Sequence, residues 1–200
     1  MRDATGLAQK GDYAGALKIV DEMLKRSGAS ALNDELRGTV LTLAKDYPGA
    51  EASFSSMLKR APESYVARFN RAETIMLQHR FTEAEAEFNK VELDRGATDA
   101  PVAALAHFKR IACLVGEGKV LQAELLLPPI REGQESPSVY YARAMLKWVR
   151  KEPLVAIKLL EDARTRFSPA VDDLYTDTFV ELKWGRRDPA GAFVFSPTFR

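Results

Sequence analysis

Ala16, Ala50 and Ala84 recur at a strict 34-residue interval, each just after a short turn-like cluster. Gly11-Asp12-Tyr13 precedes the first, Lys45-Asp46-Tyr47 the second and His79-Arg80-Phe81 the third, while Phe54 and Phe88 stand four residues after Ala50 and Ala84. Self-similarity at this period restricts a chain to stacked helix–turn–helix hairpins. One hairpin cannot bury its apolar face alone and must lay it against the next. Gly38 and Ala72 on first helices are expected to face Ala50 and Ala84 on second helices, where a larger side chain would cost roughly 1–3 kcal/mol. Asp12 and Asp46 are placed to cap second helices, with Tyr13, Tyr47 and Phe81 wedged beneath them. Thr82-x-x-Glu85 reads as a capping box for the third.

The period continues less evenly. Ala123 follows Ala84 by 39 residues and Ala156 follows after 33 more, so five extra residues are expected to be absorbed near 97–100. Pro128-Pro129 should break the helix they fall in, since proline removes a donor and clashes with the preceding turn. Pro153 suits a first helical position. Ser168-Pro169 followed by Asp172 and Asp173 starts a last helix, which Lys183 and Gly185 close. Helices are expected over about 2–10, 13–26, 31–44, 47–60, 64–78, 81–94, 101–116, 119–127, 137–150, 154–166 and 170–184. Only ten residues precede Gly11, too few for a full first helix. Beyond the turn signal Asp188-Pro189-Ala190-Gly191, Phe193, Phe195 and Phe199 mark a tail that either folds back or is the cut edge of a longer protein.

These residues resemble the tetratricopeptide repeat. The strongest match is Tyr65 to Gly96, through Phe69-Asn70-Arg71-Ala72, Phe81, Ala84 and Phe88; residues 31–64 match at Gly38, Tyr47, Ala50, Phe54 and Pro62. The resemblance runs from residue 1 to about 168. It implies an all-α fold, a right-handed α-solenoid of about five helix–turn–helix repeats over 1–187. Its units fall near 1–30, 31–64, 65–98, 99–135 and 136–168, with a capping helix at 169–185 and an apolar tail at 188–200. It also implies that first helices line a concave groove. The matching positions are Leu32, Glu35, Thr39 and Thr42, then Val66, Phe69, Glu73 and Met76. Leu105, Phe108, Ala112 and Val115 follow, then Ser138, Tyr141, Met145 and Trp148. Of these, Phe69, Glu73, Met76, Phe108, Val115, Tyr141, Met145 and Trp148 are the candidate partner-binding residues, in a groove polar at its N-terminal end and apolar at its C-terminal end. The competing expectation is that they pack between neighbouring helices. Glu35, Thr39, Phe69 and Glu73 lack the Lys and Asn clamp with which some relatives hold a peptide carboxylate, which argues against chaperone tails. Arg37, Arg71, Arg110 and Arg143 recur at one repeat position. Packed stems with heads reaching water or a carboxylate are favoured there over an anion-binding ladder.

Composition excludes other classes. Lys and Arg number 29 against 28 Asp and Glu, a formal charge of +1, so there is no basic footprint for nucleic acid. No apolar run approaches the roughly 18 residues of a membrane span, and the first ten residues lack the apolar stretch of a signal peptide. A cytoplasmic address is expected, or an exported one if an upstream segment is missing. Cys113, the single cysteine, is expected to be a small buried residue. His79 and His107 form no metal-ligand spacing with each other or with Cys113. No phosphate loop or nucleophile elbow occurs, and Glu83, Glu85 and Glu87 read as a solvated face. Neither catalysis, a cofactor nor a metal is expected. The leading expectation is a scaffold binding a peptide or amphipathic helix of another protein. The alternative is a self-assembling solenoid, a homo-oligomer joined through terminal repeats or the phenylalanine-rich tail. A third reading lays residues 189–199 in the chain's own groove to regulate access.

Overall fold

The computed structural model describes residues 2–95, 100–127 and 136–199. One turn geometry organises it. Gly11, Lys45, His79, Gly118, Lys151 and Lys183 all hold a left-handed backbone, with φ of 86, 61, 60, 74, 65 and 60°. At each, the left-handed residue donates its N–H to the carbonyl three residues back, and the next residue donates to the carbonyl five back. Lys45 N to Thr42 O is 3.0 Å and Asp46 N to Leu41 O is 2.9 Å; Lys183 N to Val180 O and Trp184 N to Phe179 O are 3.0 and 2.7 Å. Such a Schellman ending satisfies carbonyls that a helix terminus otherwise leaves open.

Between these turns run α1 (Arg2–Gln9), α2 (Tyr13–Ser27), α3 (Ala31–Leu43), α4 (Tyr47–Arg60), α5 (Tyr65–Leu77) and α6 (Phe81–Arg95). They are followed by α7 (Ala100–Gly116), α8 (Val120–Leu125), α9 (Pro137–Val149), α10 (Pro153–Arg166) and α11 (Pro169–Glu181). A two-stranded antiparallel hairpin closes the chain, β1 (Gly185–Arg187) with β2 (Phe193–Phe195), in the register Gly185↔Phe195. This is the all-α helical-repeat class expected, with a hairpin added at the C-terminus. No described helix is long and apolar enough to cross a membrane.

Asp12 and Asp46 cap as expected, accepting from Gly15 N at 2.9 Å and Gly49 N at 3.1 Å. Pro137, Pro153 and Pro169 each open a helix, where a missing N–H costs nothing. Ala16, Ala50, Ala84, Ala123 and Ala156 are fully buried.

Three expectations are corrected. The irregular 39-residue interval is taken up mainly inside α7, which has 17 residues where α3, α5 and α9 have 13; residues 97–99 themselves lie outside the described chain. One extra helical turn is four residues and leaves the hairpin's turn chemistry untouched. Thr82 sits inside the first turn of α6, which begins at Phe81, so it is not the cap residue of a capping box. Gly38 makes room for Phe54 rather than for Ala50: a Cβ there would lie 2.6 Å from the Phe54 ring. The predicted break near Pro128 falls where α8 has already ended at Leu125, and Pro128-Pro129 lie outside the described residues.

The chain divides into two compact bodies, Met1–Val91 and Glu92–Arg200. In the N-terminal body small clusters of apolar side chains follow one another along the hairpins. Ala4, Val20 and Leu36 form one, Ala8, Ala16 and Val40 a second with Tyr13 packed on it, and Leu41, Ala50 and Phe54 a third. In the C-terminal body α7 packs on α9, α9 on α10, and α11 on α9 and β1.

Candidate partner-binding faces

The first-helix face of the N-terminal body belongs to α3 and α5. Leu32 is 48% exposed, and Glu35, Thr39, Thr42, Val66, Phe69 and Glu73 are half-buried. The Thr39 and Thr42 hydroxyls donate back to the carbonyls of Glu35 and Gly38, each at 2.9 Å, so this face offers methyl groups more than free hydroxyls. Phe69 turns its ring edge-on to Phe88 in its own hairpin, 5.4 Å between centroids, and Met76 is fully buried. The arginines at the shared repeat position reach carboxylates on second helices: Arg37 to Asp21 at 2.6 Å and Arg71 to Glu87 at 3.6 Å. Glu51 accepts from Gln78 at 2.8 Å and Arg80 at 2.6 Å. Burial alone would raise the Glu51 pKa, but these two donors outweigh it and hold the carboxyl below its usual value.

In the C-terminal body the same face, on α7 and α9, is filled. Phe108, Val115, Tyr141 and Met145 are all buried. Tyr175 and Phe179 on α11 meet Phe108 edge-on at 5.0 and 5.6 Å, and Tyr175 stacks on Tyr141 at 5.0 Å with the rings 5° apart. The Tyr141 hydroxyl donates to Asp172 Oδ1 at 2.9 Å. Burial and the neighbouring carboxylate push the Tyr141 pKa far up, and burial pushes Tyr175 up to about 12, so both phenols stay protonated and Tyr141 stays a donor. α11 thus lies against the first helices of two successive repeats at once.

The hairpin completes the cover. Trp148 at the end of α9 stacks on Phe195 at 4.9 Å, and Trp184 stacks on Phe199 at 4.5 Å. Phe193, Phe195, Phe199 and Trp184 are buried. Asp188 builds the turn, accepting from the N–H groups of Ala190 and Ala192, both at 2.9 Å. Gly185 is required in β1, because any Cβ there would collide with the Phe193 ring. On the outer side of α11, Arg187 pairs with Asp173 at 2.9 Å and Asp177 at 2.7 Å, and donates to the Thr176 hydroxyl at 3.0 Å.

A second polar feature lies at the start of this body. His107 on α7 places Nδ1 3.0 Å from Glu92 Oε1 and Nε2 2.9 Å from the Leu126 carbonyl. Both neighbours are acceptors, so only the imidazolium can satisfy both. Arg110 also donates to Glu92, at 2.7 Å. The bond to Glu92 raises the His107 pKa. Burial opposes the charge on Glu92, yet the donors His107 and Arg110 prevail and keep its pKa low. An open cavity of about 470 Å³ adjoins them, lined by Leu93, Ala103, Ala104, Ser136, Ser138 and Val139 among others. No group of three or more His, Cys, Asp or Glu among the described residues could hold a metal ion, and Cys113 is buried as expected.

The sequence positions Phe108, Tyr141 and Trp148 are brought together, but in a packed interior with α11 and the hairpin. Sequence reasoning placed a capping helix at 169–185 but missed that its aromatic face would bury Phe108 and Tyr141. The signal was present in Asp172, Tyr175 and Phe179, spaced i, i+3, i+7 on one helical face.

Comparison with known proteins agrees with this architecture. The tetratricopeptide repeat profile matches residues 41–107. No curated protein matches the chain by sequence. A solved tetratricopeptide repeat protein from Parabacteroides merdae ATCC 43184 is similar with a TM-score of 0.62 at 19% identity, over 88% of this chain and 68% of that one. PilW, a widely conserved type IV pilus biogenesis factor, is similar with a TM-score of 0.65 at 20% identity, over 91% of this chain and 84% of PilW. At such identities the likeness is one of fold. The 34-residue period, the recurring left-handed turn, the profile matched over residues 41–107 and the shared fold together support a tetratricopeptide repeat assignment.

Proposed function

We propose that the chain is a protein–protein interaction scaffold that holds a peptide or amphipathic helix of another protein against the first helices of its repeats. Repeats of this family generally mediate protein–protein interaction, and its members are typically non-enzymatic scaffolds. The observation that supports the finer reading most is α11. In the C-terminal body a helix with one aromatic face already lies on Phe108 and Tyr141. On the first-helix face of the N-terminal body Leu32 is 48% exposed, and Glu35 and Glu73 are only partly buried by the chain itself. Two or three anchored side chains, each contributing roughly 1.5–3 kcal/mol, suffice for micromolar capture after ordering costs.

The test is a photo-crosslinking amino acid at position 32, 35 or 73, with positions 25 and 59 on second helices as controls. Crosslinked partner is expected from the first-helix positions only. Equal yields from both sets would sink the reading. A cytoplasmic site of action is proposed alongside it, to be checked by cell fractionation. Scaffolding of this kind is also consistent with the role PilW is named for, type IV pilus biogenesis, which counting surface pili after gene deletion would test.

Self-assembly is the competing reading. It drew on the terminal repeats and on the phenylalanine-rich tail, and of these the tail residues Phe193, Phe195 and Phe199 are buried in their own body. Sedimentation velocity across a hundredfold concentration range separates the two, with a single monomeric species expected.

A further inference from the structure

α8 is the short member of the second-helix series. It has 6 residues where α4, α6 and α10 have 14, 15 and 14. A helix this short has little stability of its own and is held by what it touches. It buries Ala123, while Leu121 and Leu125 are 70 and 86% exposed, so burial grips its last turn weakly. Two polar ties do the rest. Arg150 at the end of α9 donates twice to Glu124, at 2.8 and 2.7 Å. Both side chains are partly exposed, so solvent and salt screen that pair. The other tie is His107, whose Nε2 lies 2.9 Å from the Leu126 carbonyl, one of the acceptors that a helix end leaves open.

This second tie depends on a proton. Nδ1 of the same ring lies 3.0 Å from Glu92 Oε1, so from α7 the ring bridges α6 and α8, and each nitrogen must carry a hydrogen. The charged groups that act on it are Glu92 from α6 and Arg110 from its own helix. α8 offers the Leu126 carbonyl, and the start of α9 lines the adjoining cavity with the neutral Ser136, Ser138 and Val139. The bond to Glu92 outweighs burial and the Arg110 charge, and holds the His107 pKa above its ordinary value. When the proton leaves to solvent, the neutral ring keeps a single N–H. A hydrogen bond to a carboxylate is stronger than one to a neutral carbonyl, so Nδ1 retains it. Nε2 then turns a lone pair toward the Leu126 oxygen, acceptor against acceptor. Glu92 is left satisfied, since Arg110 also donates to it at 2.7 Å. The loss falls on α8.

We propose that His107 is a proton-operated catch for the end of α8: charged, it holds the Leu126 carbonyl, and neutral, it lets that carbonyl go. Leu126 and His107 stand side by side in the wall of the cavity of about 470 Å³, so release of the helix end opens that wall. Access to the cavity therefore follows pH.

The experiment titrates the full chain by NMR from about pH 5.5 to about 8.5, a range centred near the ordinary histidine value. The His107 ring proton on Cε1 reports the charge. The amides of Leu126 and Leu127, which donate to Ala123 and Glu124 inside α8, report the helix end as protection factors corrected for base-catalysed exchange. These factors are expected to fall about fivefold, the worth of one hydrogen bond, with the midpoint of the His107 titration, while those of α9 hold. Glu92→Gln should move both midpoints together to lower pH, and His107→Gln should leave α8 protection independent of pH. A soluble neutral nitroxide should relax the methyls of Val139, 8% exposed, more strongly above that midpoint. Leu126 and Leu127 protection that stays flat through the His107 titration overturns the catch. So does a fall that persists in His107→Gln, or one that Glu92→Gln leaves in place. Released amides with unchanged relaxation at Val139 overturn the opening of the cavity.

Discussion

The N-terminal and C-terminal bodies are made from the same hairpin and finish it differently. α3 and α5 leave their outer face half-exposed, with Leu32 48% exposed and Glu73 half-buried. α7 and α9 bury theirs under α11 and the β-hairpin, so that Phe108, Tyr141 and Met145 are fully buried. The divergence begins at the sixth left-handed turn. The first five turns are each followed, five residues on, by a buried alanine, from Ala16 after Gly11 to Ala156 after Lys151. Five residues after Lys183 stands Asp188. With no small residue to let a second helix lie close, the chain leaves through Trp184 and Gly185 as a strand and turns back. The turn decides that a helix stops; the residue five further on decides whether another one can pack.

The contrast is broken most directly at Phe179, which touches Phe108, Trp184, Phe193 and Phe195 and is fully buried. Phe179→Ala should cost about 3–5 kcal/mol, all of it in the C-terminal body. Hydrogen exchange by mass spectrometry should show protection lost in α7, α9 and α11 and retained in α2 to α5. Loss spread evenly over both bodies would mean that they do not fold as separate units.

The opposite experiment strikes only the N-terminal body. Gly38→Val drives a side chain into the Phe54 ring, 2.6 Å from where its Cβ must sit, and should cost about 1–3 kcal/mol. Phe54→Leu in the same chain should return part of that loss, measured as urea midpoints. A double variant no more stable than Gly38→Val alone would show that another contact takes up the strain.

These two sites divide what the sequence made legible from what it hid. The period placed all eleven described helices to within a few residues, because turn chemistry and apolar spacing are local. Asp12 and Asp46 could be read as caps for the same reason. Phe108, Tyr141 and Trp148 could be placed on one face by repeat position alone. A capping helix could be expected after them, but which of its residues would cover them could not, since the contact between Phe108 and Tyr175 joins residues far apart in the chain and leaves no mark on periodicity. Gly38 was recognised as a place needing a small residue, but its neighbour is Phe54, one turn beyond the alanine that the repeat pattern singled out. The extra turn of α7 was hidden too, because a whole helical turn preserves the face of everything after it.

Alkali, not acid, separates the bodies. Glu51 in the N-terminal body and Glu92 in the C-terminal body both have lowered pKa values. Each stabilises above the unfolded carboxylate value of about 4.3, and that contribution is lost as pH falls through the folded one. His107 has a raised pKa, so its contribution is complete below about 6.5 and disappears as pH rises through the folded value. Acid should therefore weaken both bodies, while moving from pH 6 to pH 8.5 should weaken the C-terminal body by about 1 kcal/mol, the worth of one hydrogen bond. His107→Gln should flatten that alkaline limb in urea titrations and leave the acid limb in place. An alkaline limb unchanged in the variant would assign the effect to another group.

The finest comparison uses the turn that the bodies share. Lys45 and Lys151 each hold φ near 60° without being glycine, at 61 and 65°, a conformation that costs an L-residue roughly 1–2 kcal/mol. Glycine removes that strain but adds freedom to the unfolded chain worth about 0.5–1 kcal/mol. The net expectation for Lys45→Gly or Lys151→Gly is a gain of about 0.5 kcal/mol. Both turns close with the same pair of hydrogen bonds, to Thr42 and Leu41 in one and to Trp148 and Lys147 in the other. The two substitutions should therefore give equal shifts when each body is followed by its own exchange-protected amides. If only Lys45→Gly stabilises, Lys151 makes some further contact in its body, and the turns are alike in backbone geometry alone.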